Sequence, residues 1–268
     1  MKKFNRVFTI IVFIFLYVPM AVLIVGSFNE GRSLTRFTGF TFGNYAELFR
    51  DGSLISLLIN SLIIAVISSL AATVLGTMAS LGIHAMGKRQ RKLVMMVTNI
   101  PMTNPEIVTG VSLALLFAFV GNMMKVNNIL GFWTMLIAHI TFNLPYVILS
   151  VMPKLAQMDP NLREAALDLG CTPVQSFFKV TLHELLPGII SGALLSFTMS
   201  LDDFVISYFV SGSGFKTLPV EIYNYTKKPL HPKIYALFTL LFALILVVMI
   251  VMNLHQARSD KRKLKARM

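Results

Sequence analysis

Uncharged apolar runs long enough to cross a bilayer constrain this chain more than any motif it carries. Val7–Phe28, Leu54–Met86 and Ile234–Leu254 contain no Asp, Glu, Lys or Arg. A hydrocarbon core of about 30 Å needs about 20 apolar residues in a helix. Lipid offers no hydrogen bonds, so each such run must satisfy its own backbone as a helix. Three further runs carry interruptions. Leu93–Val120 holds Pro101, Pro105 and Glu106; Phe132–Met152 holds His139 and Pro145; Pro187–Val210 holds Asp202 and Asp203. The expected spans are therefore about 7–28, 57–84, 95–120, 132–152, 187–210 and 234–254, in a single transmembrane domain over residues 1–268. This is an all-α membrane protein of six transmembrane helices.

Composition agrees, with 55% hydrophobic and only 13% charged residues, about half the charged share of a soluble domain. A disordered chain, a disulfide scaffold and an ordinary soluble enzyme are excluded. The single cysteine, Cys171, permits no intrachain disulfide and no paired-cysteine metal motif. The first run follows Met1-Lys2-Lys3 as a secretory signal would. It is longer than a signal's apolar segment and no small-x-small cleavage site follows it, so a retained span is expected.

The formal net charge is +12, a balance that in a soluble protein points to nucleic acid. In a membrane protein the bases report orientation instead, because short cytoplasmic loops are rich in Lys and Arg. An inside N-terminus puts Lys88, Arg89, Arg91 and Lys92 on the side of Lys2, Lys3 and Arg6, with the basic tail Arg258–Arg267. The outer segments keep the smaller share, among them Arg32, Lys125, Lys228 and Lys233. Both termini are expected in the cytoplasm, with the tail against anionic lipid.

The longest cytoplasmic loop, residues 153–186, is patterned. Asp159-Pro160 reads as an N-cap followed by proline at the first helical position. Leu162, Ala165, Ala166 and Leu169 then recur at helical spacing, and Gly170 is placed to end that helix. Thr172-Pro173 repeats the start, and Val174, Phe177, Phe178 and Leu182 form a second stripe. Helix, glycine turn, helix fits a plain surface hairpin as well as it fits a docking element for a partner.

Glu164-Ala165-Ala166, then Gly170 after three residues, then Val180-Thr181-Leu182 after nine more, resembles the EAA loop of ABC-importer permeases, E-A-A-x3-G-x9-I-x-L-P. Val180 stands where that motif has Ile, and His183 where it has Pro. The resemblance implies a type I ABC-importer (MetI-like) permease fold in the bacterial cytoplasmic membrane. It implies that Glu164, Ala165, Ala166 and Gly170 form a coupling helix docked on a cytoplasmic ABC ATPase dimer. It also implies a second permease subunit, in a heterodimer by family precedent, and an external substrate-binding protein. No cofactor is expected on this chain itself, ATP and Mg²⁺ belonging to the partner ATPase. Longer strings, His139-Ile140-Thr141-Phe142-Asn143-Leu144-Pro145, Ser200-Leu201-Asp202-Asp203-Phe204 and Leu218-Pro219-Val220-Glu221-Ile222-Tyr223, are similar to the permease subunits of spermidine/putrescine importers. That subgroup implies a path for polyamines, which are linear polycations.

A carboxylate inside a membrane helix costs about 2.5–3.5 kcal/mol on insertion scales, so it normally faces a cavity or a partner. Glu106, Asp202 and Asp203 are the acids within the expected spans. They have the right sign to line a cation path; they also suit helix ends or a base on a neighbouring subunit. On a continuous helix the two adjacent aspartates would point about 100° apart, so one of them is expected to face the path. His139 reads as a packing histidine before a proton relay, and Phe132-Trp133 as an interfacial aromatic belt. Gly188-x-x-x-Gly192 permits close helix approach.

Other motifs fail. Gly82–Arg89 approximates a phosphate loop, yet Arg89 occupies its Ser/Thr position and it follows a membrane helix. His183-Glu184 lacks the second histidine of a zinc-protease helix. The remaining alternatives are an importer for another organic cation, a metal or an anion, and a stand-alone secondary transporter.

Overall fold

The computed structural model describes residues 2–31, 36–159, 161–227 and 231–266, with side chains for all of these except 2–5, 226, 248 and 251–266. Pro160 and the side chains of the basic tail lie outside the described residues. Among the described residues there are twelve α-helices: α1 Lys2–Ser27, α2 Gly43–Arg50, α3 Gly52–Ala85, α4 Lys88–Thr103, α5 Glu106–Met123, α6 Phe132–Gln157, α7 Asn161–Asp168, α8 Pro173–Ser176, α9 Leu182–Leu201, α10 Val205–Val210, α11 Leu218–Thr226 and α12 Pro232–Ala266. Among the described residues the only extended pairing is one isolated bridge, Asn29 to Phe40.

Five described helices are long and apolar enough to cross a membrane: Arg6–Ser27, Gly52–Ala85, Glu106–Met123, Phe132–Gln157 and Pro173–Leu201. The last expected span falls in α12, which is apolar over Pro232–Val247. Two expected spans are corrected. The run 95–120 is not one helix: α4 ends at Thr103 and α5 starts at Glu106. Asn104 there is extended, at φ −73° and ψ 142°, as the crowding of a following proline ring dictates. The run 187–210 begins earlier and breaks later. A π turn over Phe177–Thr181 joins α8 to α9, so the helical run reaches back to Pro173, and α9 stops at Leu201 before the short α10. The two aspartates thus occupy a break and not a helix interior.

The chain divides into two compact units. One comprises residues 1–56 and 224–268. In it α1 and α2 both pack on α12, and α1 is exposed from Arg6 to Val22, as a lipid-facing helix requires. The segment after α1 is knotted by asparagines. Asn29 Oδ1 accepts from the Thr38 backbone N–H at 2.9 Å, and Asn44 Nδ2 donates to the carbonyls of Ser27 and Asn29, both at 2.9 Å. Phe28 stacks on Phe40 beside this knot, with ring centroids 5.2 Å apart.

The other unit comprises residues 57–223. One core cluster joins Ile64 of α3, Phe117 of α5, Met135, Ala138 and Phe142 of α6, and Ile206 of α10. A second joins Ala72 of α3, Val147 and Val151 of α6, and Leu185 of α9. Helices approach closely here because small residues line the seam. A Cβ on Gly188 would lie 2.8 Å from Lys154 Cγ and 2.9 Å from the Ser150 carbonyl oxygen. One on Gly192 would lie 3.2 Å from Val147 Cα. The Gly188-x-x-x-Gly192 spacing therefore sets the α6–α9 contact, and Ser196 and Ser200 extend the same stripe at four-residue intervals, both buried.

Candidate functional site

Two sets of residues singled out by the sequence lie on different elements. The first is the patterned loop. Asp159 Oδ1 accepts the Asn161 backbone N–H at 2.9 Å, capping α7 as its position suggests. The helix ends as glycine permits: Gly170 adopts φ +84°, the left-handed conformation that costs other residues energy. The backbone N–H of Cys171 returns to the Ala166 carbonyl at 3.0 Å, and that of Gly170 to Leu167 at 2.9 Å. Thr172 and Gln175 then form a capping box at the start of α8. The two helices are tied by the buried Ser176, whose hydroxyl donates to the Arg163 carbonyl at 3.5 Å.

Only Ala166 of the first apolar stripe is buried; Leu162 is 39% and Leu169 85% exposed. Val174 and Phe178 of the second stripe are exposed as well. Glu164 and Ala165 are open to solvent beside them. Within this chain, then, the loop presents an apolar face that is left uncovered.

The second set is acidic. Asp202 closes α9, its backbone N–H bonding to the Thr198 carbonyl at 3.3 Å, and its side chain is exposed. Glu106 is the first residue of α5 after Pro105, where the helix dipole favours a carboxylate; it too is exposed. Gly110, one turn on, faces Ile206 and Phe209 of α10, so α5 runs beside the break. Glu106 lies within electrostatic reach of Asp202 and of the Tyr146 ring on α6. Aromatic rings gather around Phe204, two residues beyond Asp202. The rings of Phe204 and Tyr223 lie 4.5 Å apart and those of Phe204 and Tyr208 5.6 Å apart, with Tyr208 50% and Tyr223 43% exposed. Carboxylates with partly exposed aromatic rings suit an ammonium group, which both attract.

Asp203 differs from its neighbour. Its side chain is 3% exposed and lies 3.3 Å from Nε2 of His139, itself 2% exposed. Asp203 Oδ1 accepts the Ile206 N–H at 3.2 Å; Oδ2 accepts the Ser207 N–H at 2.7 Å and the Ser207 hydroxyl at 2.8 Å. His139 Nε2 is 3.0 Å from Ser207 Oγ, and its Nδ1 2.6 Å from Ser200 Oγ. Ser200 in turn meets the Ser68 hydroxyl of α3 at 2.9 Å. Sequence reasoning missed this chain of contacts, since nothing local couples residues 61 and 68 positions apart. No group of three or more His, Cys, Asp or Glu side chains suited to a metal occurs among the described residues.

Bilayer-length helices, an uncovered helical loop and exposed carboxylates at helix ends are features that a membrane transport subunit would use. Residues 72–265 match the family described as binding-protein-dependent transport system inner membrane component, and the chain belongs to that family. It is 37% identical to the putrescine transport system permease protein PotI of Escherichia coli K12, over 94% of this chain and 90% of PotI. It is also 37% identical to the spermidine/putrescine transport system permease protein PotC of Haemophilus influenzae, over 93% of this chain and 95% of that protein. Among solved structures, a bacterial ABC transporter that imports alginate superposes with TM-score 0.67 at 13% identity, covering 94% of this chain and 96% of the other. An amino acid ABC transporter follows with TM-score 0.56 at 19% identity, over 82% of this chain and all of the other. These two likenesses establish the fold alone.

Proposed function

We propose that this chain is the permease subunit of an ATP-driven importer and forms half of a transmembrane path for putrescine and spermidine. The chain works as one permease domain over residues 1–268, paired with a second permease subunit. An external binding protein delivers the cargo, and a separate ATPase dimer hydrolyses ATP with Mg²⁺. In this reading both termini are cytoplasmic, on the strength of the basic segments at Lys88–Lys92 and Arg258–Arg267. The exposed face of Leu162, Leu169, Val174 and Phe178 supports α7 as the docking element, with Glu164, Ala165, Ala166 and Gly170 as the coupling residues. Closure of the ATPase dimer then moves α7, and the π turn and α9 carry the displacement toward the break at Asp202.

The single observation that carries the cargo is the exposed Asp202 within electrostatic reach of the exposed Glu106, at a break that continues into the aromatic cluster of Phe204, Tyr208 and Tyr223. A polycation moving past spaced carboxylates exchanges hydration for charge contacts, and aromatic faces add about 0.5–2 kcal/mol per ammonium without holding it by hydrogen bonds. An anion would be repelled at the same place. Of the two aspartates, Asp202 is the one proposed to line the path.

The experiment is Asp202→Asn and Glu106→Gln in the reconstituted complex, with uptake of labelled putrescine and ATP hydrolysis measured separately. Each variant is expected to assemble and to hydrolyse ATP in the absence of cargo, while uptake falls about tenfold, the equivalent of about 1.4 kcal/mol. Wild-type uptake in both variants would remove these residues from the path.

A further inference from the structure

We infer that His139 and Asp203 form a clasp that fixes the α9–α10 break in the shape that turns Asp202 outward; both are positioning residues for the path carboxylate, and the inference rests on the path reading above. Consecutive residues in an unbroken helix lie about 100° apart. Here the helix is interrupted, and the two carboxylates have opposite environments: Asp202 is exposed and Asp203 buried.

The inward turn of Asp203 needs a reason, because a buried carboxylate is costly unless it is paired and hydrogen-bonded. The clasp supplies one. Two backbone N–H groups of α10 and the Ser207 hydroxyl donate to Asp203, and His139 approaches the same oxygen. Nε2 of His139 must carry hydrogen, since the carboxylate only accepts and the Ser207 hydrogen is already given to it. Nδ1 meets Ser200, as acceptor in the neutral ring or as donor in the charged one, and Ser200 meets Ser68. The imidazole is thus held at both nitrogens, and α3, α6 and α9 together fix where Asp203 points. With Asp203 drawn in, the backbone at Asp202, φ −97° and ψ 0°, leaves its side chain on the other side of the break. Filling the volume of His139 would not reproduce this; an N–H aimed at Asp203 is required.

The test follows the reactivity of a thiol at the path position in the assembled complex, in a Cys171→Ser background carrying Asp202→Cys. With His139 intact, a cationic, water-soluble methanethiosulfonate reagent is expected to modify that thiol, and spermidine to slow the reaction. Adding His139→Leu removes a charge-assisted hydrogen bond, and labelling is expected to slow about tenfold with loss of spermidine protection. Adding His139→Gln instead keeps an N–H donor within reach and is expected to restore both. If His139→Leu prevents assembly, Asp203→Asn, which keeps one acceptor oxygen but loses the charge, is read by the same criterion. Unchanged labelling and protection in these variants overturns the clasp and leaves the path reading standing. A thiol that fails to react with His139 intact overturns the path reading, and the clasp with it.

Discussion

Asp51 takes the hydrogen bonds of the first turn of α3 and an ion pair from the start of α12, so its protonation bears on the stability of that unit. Its Oδ1 accepts the Ser53 hydroxyl at 2.6 Å and the Leu54 backbone N–H at 3.3 Å, and Lys233 Nζ reaches Oδ2 at 2.9 Å. The Ser53 hydroxyl foremost, then Lys233, hold the Asp51 carboxyl at about 2, against about 3.9 for an unfolded aspartate. A depressed value means stability present above the unfolded pKa and lost as pH falls through the folded one. Asp51 therefore contributes fully at neutral pH and progressively less from about pH 4 to pH 2. Asp51→Ala is expected to cost about 1 kcal/mol, chiefly the lost cap, read as a lower melting temperature in detergent at pH 7. The difference from wild type should shrink as the melt is repeated toward pH 3. At the same scale, the sequence marked Glu106, Asp202 and Asp203 as out of place in lipid. It could not assign Asp203 to a buried pair, because the partner is a histidine brought near only by helix packing.

The α7–Gly170–α8 element was legible almost residue by residue. Caps, proline starts and a glycine stop are local chemistry, and Asp159, Thr172 and Gly170 act where their types predict. The burial of the stripes was not legible, since the apolar residues of α7 and α8 mostly face outward, and spacing alone does not say what covers them. Gly170→Ala adds a Cβ that meets nothing within 4 Å, so its cost is conformational, about 1–2 kcal/mol at positive φ. It is expected to leave membrane insertion intact and to weaken ATPase capture in a pull-down, with Gly170→Asp abolishing capture. At the helix seam the sign is steric. A Cβ on Gly76 would lie 2.7 Å from Val147 Cβ, so Gly76→Ala should destabilise by about 1–3 kcal/mol, visible as a lower melting temperature. The break between α4 and α5 was signalled by Pro105. The break between α9 and α10 carries no proline and depends on His139 of α6, which is why a continuous span was expected there.

For the whole molecule, the apolar runs disclosed the spans because the bilayer imposes its length on each helix separately. The arrangement of those helices was not disclosed, since it rests on pairings between distant residues such as Ser68 with Ser200 and Gly192 with Val147. The net charge of +12 says little about cargo. The exposed carboxylates at Glu106 and Asp202 say more, because a polycation responds to the local sign of its path. The most direct test is uptake of labelled putrescine and spermidine into proteoliposomes holding this chain with its second permease, the ATPase and the binding protein. The expected result is ATP-dependent accumulation of both, lost when this chain is omitted and unaffected by excess alginate or amino acids. Accumulation of an anionic or neutral solute in place of the polyamines, or uptake that persists without this chain, would contradict the account.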